Sequence, residues 1–173
     1  MESLTDTELI HIALNRDGQS SRAYAIVFER YRPKIGGYLR LQLNGDQALA
    51  DDLTQEIYLK SWSKIDRLNN IDQYYSWLAV IARNAFMDYL RDKKRQSHLL
   101  EWLTLEPSEP LYAEPEQGLE SLLYGLDQAD KDIVLMRSVM ELSFQEISEA
   151  LNIRLSAAKM RYYRALEQLK DQH

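Results

Sequence analysis

Residues 154–166, RLSAAKMRYYRAL, hold four cations (Arg154, Lys159, Arg161 and Arg164), two tyrosines and no acid. Wound as a helix that runs on to Leu169, this stretch turns Ala158, Tyr162, Ala165 and Leu169 to one side, because residues three and four apart share a face. The other side carries Lys159, Met160, Arg161, Tyr163 and Arg164. Ammonium and guanidinium groups meet phosphates, and a guanidinium fork also pairs with O6 and N7 of guanine. The chemistry on offer is nucleic-acid recognition, or else only a solvated face on a terminal helix. A second stretch, YYSWLAVIARNAFMDYLRDKKR, sets Trp77, Asn84, Asp88 and Arg91 seven, four and three residues apart along one side. It closes on Arg91, Lys93, Lys94 and Arg95, and Tyr74, Tyr75 and Trp77 crowd its start, behind the polar loop DRLNNID. Aromatic rings beside cations suit unstacked bases, each stack contributing about 1–3 kcal/mol. Core packing of the rings and a local Asp88–Arg91 ion pair are the plainer alternatives. A third, DQALADDLTQEIYLKSW, shows Asp51, Asp52, Gln55 and Glu56 within two turns on its outer face, then Trp62. Such acids form a docking surface or simply complement the helix dipole.

Bond-making chemistry finds no footing. There is no cysteine, so disulfides, thiolate catalysis and cysteine-based zinc sites are excluded. The histidines, His11, His98 and His173, have no ligand-like spacing, and no phosphate loop, GxSxG elbow or HExxH occurs. No metal, cofactor or catalytic residue is expected. No apolar run nears the roughly 20 residues of a membrane span, and the first residues lack a signal peptide's pattern. The expectation is a cytoplasmic protein with no membrane insertion.

Helices must position these groups. Thr5 with Glu8 forms a capping box for the first, and Gly18 sits where it would stop. Ser20 or Ser21 is placed to cap RAYAIVFERY, which Pro33 is expected to interrupt. Asp46 is placed to cap a helix with Leu49, Leu53 and Ile57 on one face, and Asp72 one with a Leu78, Ala82, Ala85, Tyr89 stripe. Asp127 can cap DQADKDIVLMRSVM. Ser143 and Glu146 form a second capping box, the tight turn NIR follows near Leu151, and Ser156 is placed to cap the last helix. A short helix, a tight turn and a longer basic helix describe a helix-turn-helix. No stretch alternates as a strand does, so the fold class is all-α, in two small helical domains. Residues 97–117 carry five acids, no Lys or Arg, and three of the four prolines. They read as an extended acidic linker between domains at 1–96 and 118–173.

These segments, in this order, resemble a bacterial RNA polymerase sigma factor of the extracytoplasmic-function group over nearly the whole chain. DQALADDLTQEIYLKSW resembles the region 2 helix that docks on the polymerase clamp, and SWLAVIARNAFMDYLRDKKR the helix that melts and reads the −10 element. LSFQEISEALNIRLSAAKMRYYRALEQL resembles the region 4 helix-turn-helix that reads the −35 element. The resemblance implies polymerase binding through Asp51, Asp52, Gln55, Glu56 and Trp62. It implies −10 contacts by Trp77, Arg83, Asn84, Asp88, Arg91, Lys94 and Arg95. It implies −35 contacts by Ser156, Lys159, Met160, Arg161, Tyr163 and Arg164. It further implies core polymerase and promoter DNA as partners, an anti-sigma factor as regulator, and a linker entering the polymerase's active cleft and RNA exit path. The sequence departs from the family where the recognition helix begins: Ala157 and Ala158 replace a threonine-valine step, and Met160 a serine. Two hydroxyl contacts are thereby lost, and Met160 offers only apolar contact, for example to a thymine methyl. The rival expectations are a sigma mimic that titrates an anti-sigma factor and a stand-alone dimeric helix-turn-helix regulator. The net charge of −6 suits a protein whose DNA reading is confined to local basic strips while its acidic surface discourages stray DNA.

Overall fold

The computed structural model of the chain describes residues 1–107 and 118–172, and every element in it is helical. Helix α1 (Asp6–Leu14) opens on the expected capping box: Glu8 N donates to Thr5 Oγ1 at 3.3 Å, and Thr5 N donates to Glu8 Oε2 at 2.7 Å. Helix α2 (Ser20–Gln42) runs unbroken through Pro33, against expectation. Pro33 and Glu29, the residue whose carbonyl loses its bond, both face solvent, while Val27, Phe28, Ile35, Tyr38 and Leu39 hold the two halves of the helix on one core. Neither serine caps it. Gln19 occupies the N-cap without a side-chain bond, and Ser20 Oγ accepts from Asp17 N at 2.8 Å and donates to Ile12 O at 3.0 Å, tying α2 to the end of α1.

Helix α3 (Gln47–Lys64) is capped by Asp46, as the sequence predicts, and leads through 3-10 turns at Ile65–Arg67 and Ile71–Gln73 into α4 (Tyr74–Thr104). Asp72 is not the cap of α4: Asn70 caps the preceding turn by accepting from Asp72 N at 3.0 Å. Helix α4 also outlasts its expected end. Residues 97–104, read as linker, are its last two turns, because Leu99, Leu100, Glu101 and Leu103 favour helix and the first linker proline, Pro107, disfavours it only at Glu106 just before. Of the remaining linker, Pro110, Pro115, Glu109, Glu114 and Glu116 lie outside the described residues.

The C-terminal half comprises α5 (Leu119–Tyr124), α6 (Gln128–Ser138), α7 (Phe144–Leu151) and α8 (Leu155–Asp171). Asp127 caps α6, and the Ser143–Glu146 box caps α7. Asn152 then takes the left-handed conformation, φ 51°, that makes the tight turn. Arg154, not Ser156, stands at the N-cap of α8, so the helix starts one residue before the serine.

Both halves share one continuous apolar core. Their junction is polar at its centre. Asp132 of α6, with a side chain 2% exposed, accepts from Tyr38 Oη at 2.6 Å, Gln42 Nε2 at 3.3 Å and Arg83 Nε at 2.5 Å. Around it, Tyr75 Oη donates to Met140 O at 2.5 Å, Lys34 pairs with Glu141 at 2.6 Å, and Arg40 pairs with Glu120. A buried carboxylate persists only with such a full set of donors. The halves come close at Gly37, where a Cβ would stand 3.3 Å from Val139 Cγ1.

Candidate nucleic-acid interface

On α3, Leu53 and Ile57 are buried, which turns Asp51, Asp52, Gln55 and Glu56 outward, all exposed. Glu56 pairs with Lys60 at 2.7 Å, and Asp51 accepts from Gln47 Nε2 at 2.8 Å. Trp62 does not share that open face. It is half-buried, its ring 5.0 Å from Tyr24 and roofed by the Arg16 guanidinium at 4.4 Å. The reason is the aromatic cluster of Tyr24, Phe28, Tyr58 and Tyr74 at this end of the bundle, which needs a large ring to close it.

The aromatic start of α4 divides three ways. Tyr74 is buried in the cluster. Tyr75 stacks on Tyr31, centroids 4.5 Å apart, and reaches across to the C-terminal half. Trp77 is half-buried beside a pocket of about 250 Å³ formed with Arg67, Asn69, Asn70 and Gln73. That pocket lies where loop 66–72 meets the helix, and Glu146 and Glu149 of α7 line its other wall. Farther along, Asn84, Lys94 and Arg95 are exposed, and Asp88 and Arg91 form the local pair at 2.9 Å. Arg83 stands apart from them: it points at Asp132 with a side chain only 25% exposed.

On α8, Ala158 and Ala165 are buried and Tyr162 packs edge-on to Phe144 at 5.3 Å, as the periodicity predicts. Ser156, Lys159, Met160, Tyr163 and Arg164 are exposed on the other side. Arg161 is half-buried, and its Nε donates to Asp130 Oδ1 at 2.8 Å while Arg164 Nη2 donates to Asp130 Oδ2 at 3.3 Å. Sequence reasoning missed Asp130 and Asp132. Their signal was faint: two acids flanking Lys131 in DQADKDIV look like solvent-facing charge, yet all three side chains are buried. Burial holds the Lys131 ammonium down to about 8, partly offset by Glu120, and pushes the Tyr38 phenol well above its usual range, with Asp132 adding to the effect.

Two family models account for this architecture: Sigma-70 region 2 matches residues 27–96, and Sigma-70 region 4 matches residues 117–169. The RNA polymerase sigma factor CarQ of Myxococcus xanthus is 32% identical over 165 residues, covering 90% of this chain and 91% of that protein. The chain is a sigma factor of the extracytoplasmic-function group. This sigma factor is also 24% identical to the ECF RNA polymerase sigma-E factor of Haemophilus influenzae, over 98% of its own length and 96% of that protein. Its fold matches that of CnrH, solved in complex with the cytosolic domain of CnrY, with a TM-score of 0.72 at 20% identity over 96% of each chain. As a sigma factor it binds core RNA polymerase and directs promoter-specific transcription initiation, α3 and α4 belonging to region 2 and α6 to α8 to region 4. No helix among the described residues is long and apolar enough to cross a membrane.

Proposed function

We propose a division of labour among the residues of this sigma factor. Asp51, Asp52, Gln55 and Glu56 dock α3 on the polymerase clamp, and Trp62 supports that face from beneath. Trp77 and the loop beside it take up an unstacked base of the −10 element, while Asn84, Asp88, Arg91, Lys94 and Arg95 follow the strand and Arg83 joins them once the halves part. Lys159, Met160, Arg161, Tyr163 and Arg164, with Ser156 at the helix start, enter the major groove at the −35 element.

The observation that carries this reading is the pocket beside Trp77. Its N-terminal wall offers a nucleobase the Trp77 indole to stack on and the amides of Asn69 and Asn70 to read it. The protein works in the cytoplasm, where the polymerase is, without catalysing a reaction itself. An anti-sigma factor regulates it, a reading supported by the fold shared with CnrH, which was solved with CnrY bound. Run-off transcription with purified core polymerase tests the whole. Promoter-dependent transcripts are expected from the native chain. Asp52→Lys combined with Glu56→Lys should abolish them together with co-purification of core, and unchanged binding would remove α3 from the interface.

A further inference from the structure

We propose that Met160 and Tyr163 form an apolar crest on α8 that selects thymine in the −35 element by packing on its C5-methyl group. The inference rests on the reading of α8 as the helix that enters the major groove at −35.

Helix geometry sets the crest. Each residue advances about 100° around an α-helix, so the fully buried Ala158 and Ala165 fix the outward direction at about 170° from Ala158. Measured the same way, Tyr163 stands at about 140° and Met160 at about 200°, one on each side of that direction. Their exposures agree, at 71% for Met160 and 57% for Tyr163. Ser156 and Glu167 continue the line by one turn at either end and are polar, which confines the apolar stretch to these two residues. The cations stand off the crest. Lys159 lies at about 100° and Arg161 at about 300°, on opposite flanks. Asp130 draws Arg161 at 2.8 Å and Arg164 at 3.3 Å toward α6. The side chains that reach farthest toward the base edges are therefore apolar, and the charges flank them, where the phosphate strands run.

A single exposed methionine on a protein surface carries no message. This pair does, because it crowns the face that faces the bases. A methionine side chain donates no hydrogen bond and its sulfur accepts only weakly, so the amino and carbonyl groups of the groove gain little from it. Of the groups that the four bases present in the major groove, the thymine methyl is the apolar one. The Tyr163 ring is already held for such a contact. Its centroid is 5.3 Å from that of Tyr162 and 6.1 Å from that of Phe144, which the Arg137 guanidinium roofs at 4.8 Å. A ring braced in this way loses little freedom on binding. Three residues of helix advance about 4.5 Å against about 3.4 Å per base pair, so the two side chains address thymines one or two steps apart.

The test uses the full chain assembled with core polymerase. The probe is a duplex pool randomised over one helical turn, about 10 base pairs, at −35 and over another at −10. Selection by binding should enrich elements with two thymines, on either strand, one or two steps apart in the −35 turn. Rebuilding an enriched duplex with deoxyuridine at one of those thymines removes the methyl and keeps every hydrogen-bonding group. Native affinity should then fall about fourfold at each of the two positions, which is what burying one such carbon is worth. Met160→Ala should abolish the loss at one position and Tyr163→Ala at the other. Met160 is largely exposed, so its replacement leaves the fold intact, and far-ultraviolet circular dichroism checks both variants. Enriched −35 elements without such thymines, native affinity indifferent to deoxyuridine, or an unaltered native profile in either variant would overturn the proposal and leave α8 as the −35 reader. No enrichment at all in the −35 turn would sink that reading as well.

Discussion

Arg161 has two claims on its guanidinium, a guanine edge and the Asp130 carboxylate, and its half-buried position lets either one win. Bound to a promoter, it should discriminate at one −35 position. Arg161→Ala is expected to flatten the preference among −35 variants by about 1–3 kcal/mol, measured by competition between promoter duplexes on the holoenzyme. Trp77→Ala should act elsewhere, leaving −35 preference intact and weakening capture of a single-stranded −10 oligonucleotide by about 1–3 kcal/mol, read by fluorescence anisotropy. Residue types showed in the sequence which side of α8 is polar, because periodicity alone assigns faces. They could not show that Arg83 turns away from the rest of its helix, since its partner Asp132 is 49 residues distant. Trp62 was misplaced for a related reason: Arg16, in the turn after α1, and Tyr24, in α2, enclose it from far along the chain.

At the scale of elements, local signals served wherever the decisive contact is local. Thr5 with Glu8, Asp46, Asp127 and Ser143 with Glu146 all act as caps over three residues of sequence, and all four form. Ser143→Ala should therefore cost about 1 kcal/mol of stability, seen as a lower melting temperature, and should loosen the turn that aims α8. Failures came where tertiary packing overrode a local preference. Pro33 lacks a donor, but the loss falls on the solvent side of a helix held by Phe28 and Ile35. The end of α4 was hidden behind a compositional boundary, whereas the helix stops only at Leu105, in the left-handed conformation at φ 57°.

The whole molecule behaves as one packed body with a charged seam, and its pH response should say so. Lys131 sits in that seam with Glu120, Arg40 and Asn44 nearby, and its ammonium is held at about 8 against an ordinary value near 10.5. Below pH 8 the folded chain carries this buried charge at a cost. Between pH 8 and about 10 the folded state gives up the proton while the unfolded state keeps it, so stability should rise. Above 10 the trend turns, because half-buried Tyr31, held up to about 12, and the buried Tyr38 keep protons that the unfolded chain releases. Denaturant midpoints across that range should trace the rise, and Lys131→Met should remove it.

The order of the helices, their caps, the buried and open faces of α3 and α8, and the family itself followed from the chain read end to end. Each depends on residues a few positions apart, or on motifs in sequence order. Tertiary structure alone decided that the two halves close on each other, that Asp130 and Asp132 are interior, and that arginines from both reading helices meet at one seam. Those facts depend on pairs 31 to 94 residues apart. Whether an acid faces water or a guanidinium at such a separation is settled by packing, because burying a carboxylate is favourable only when donors from distant helices converge on it.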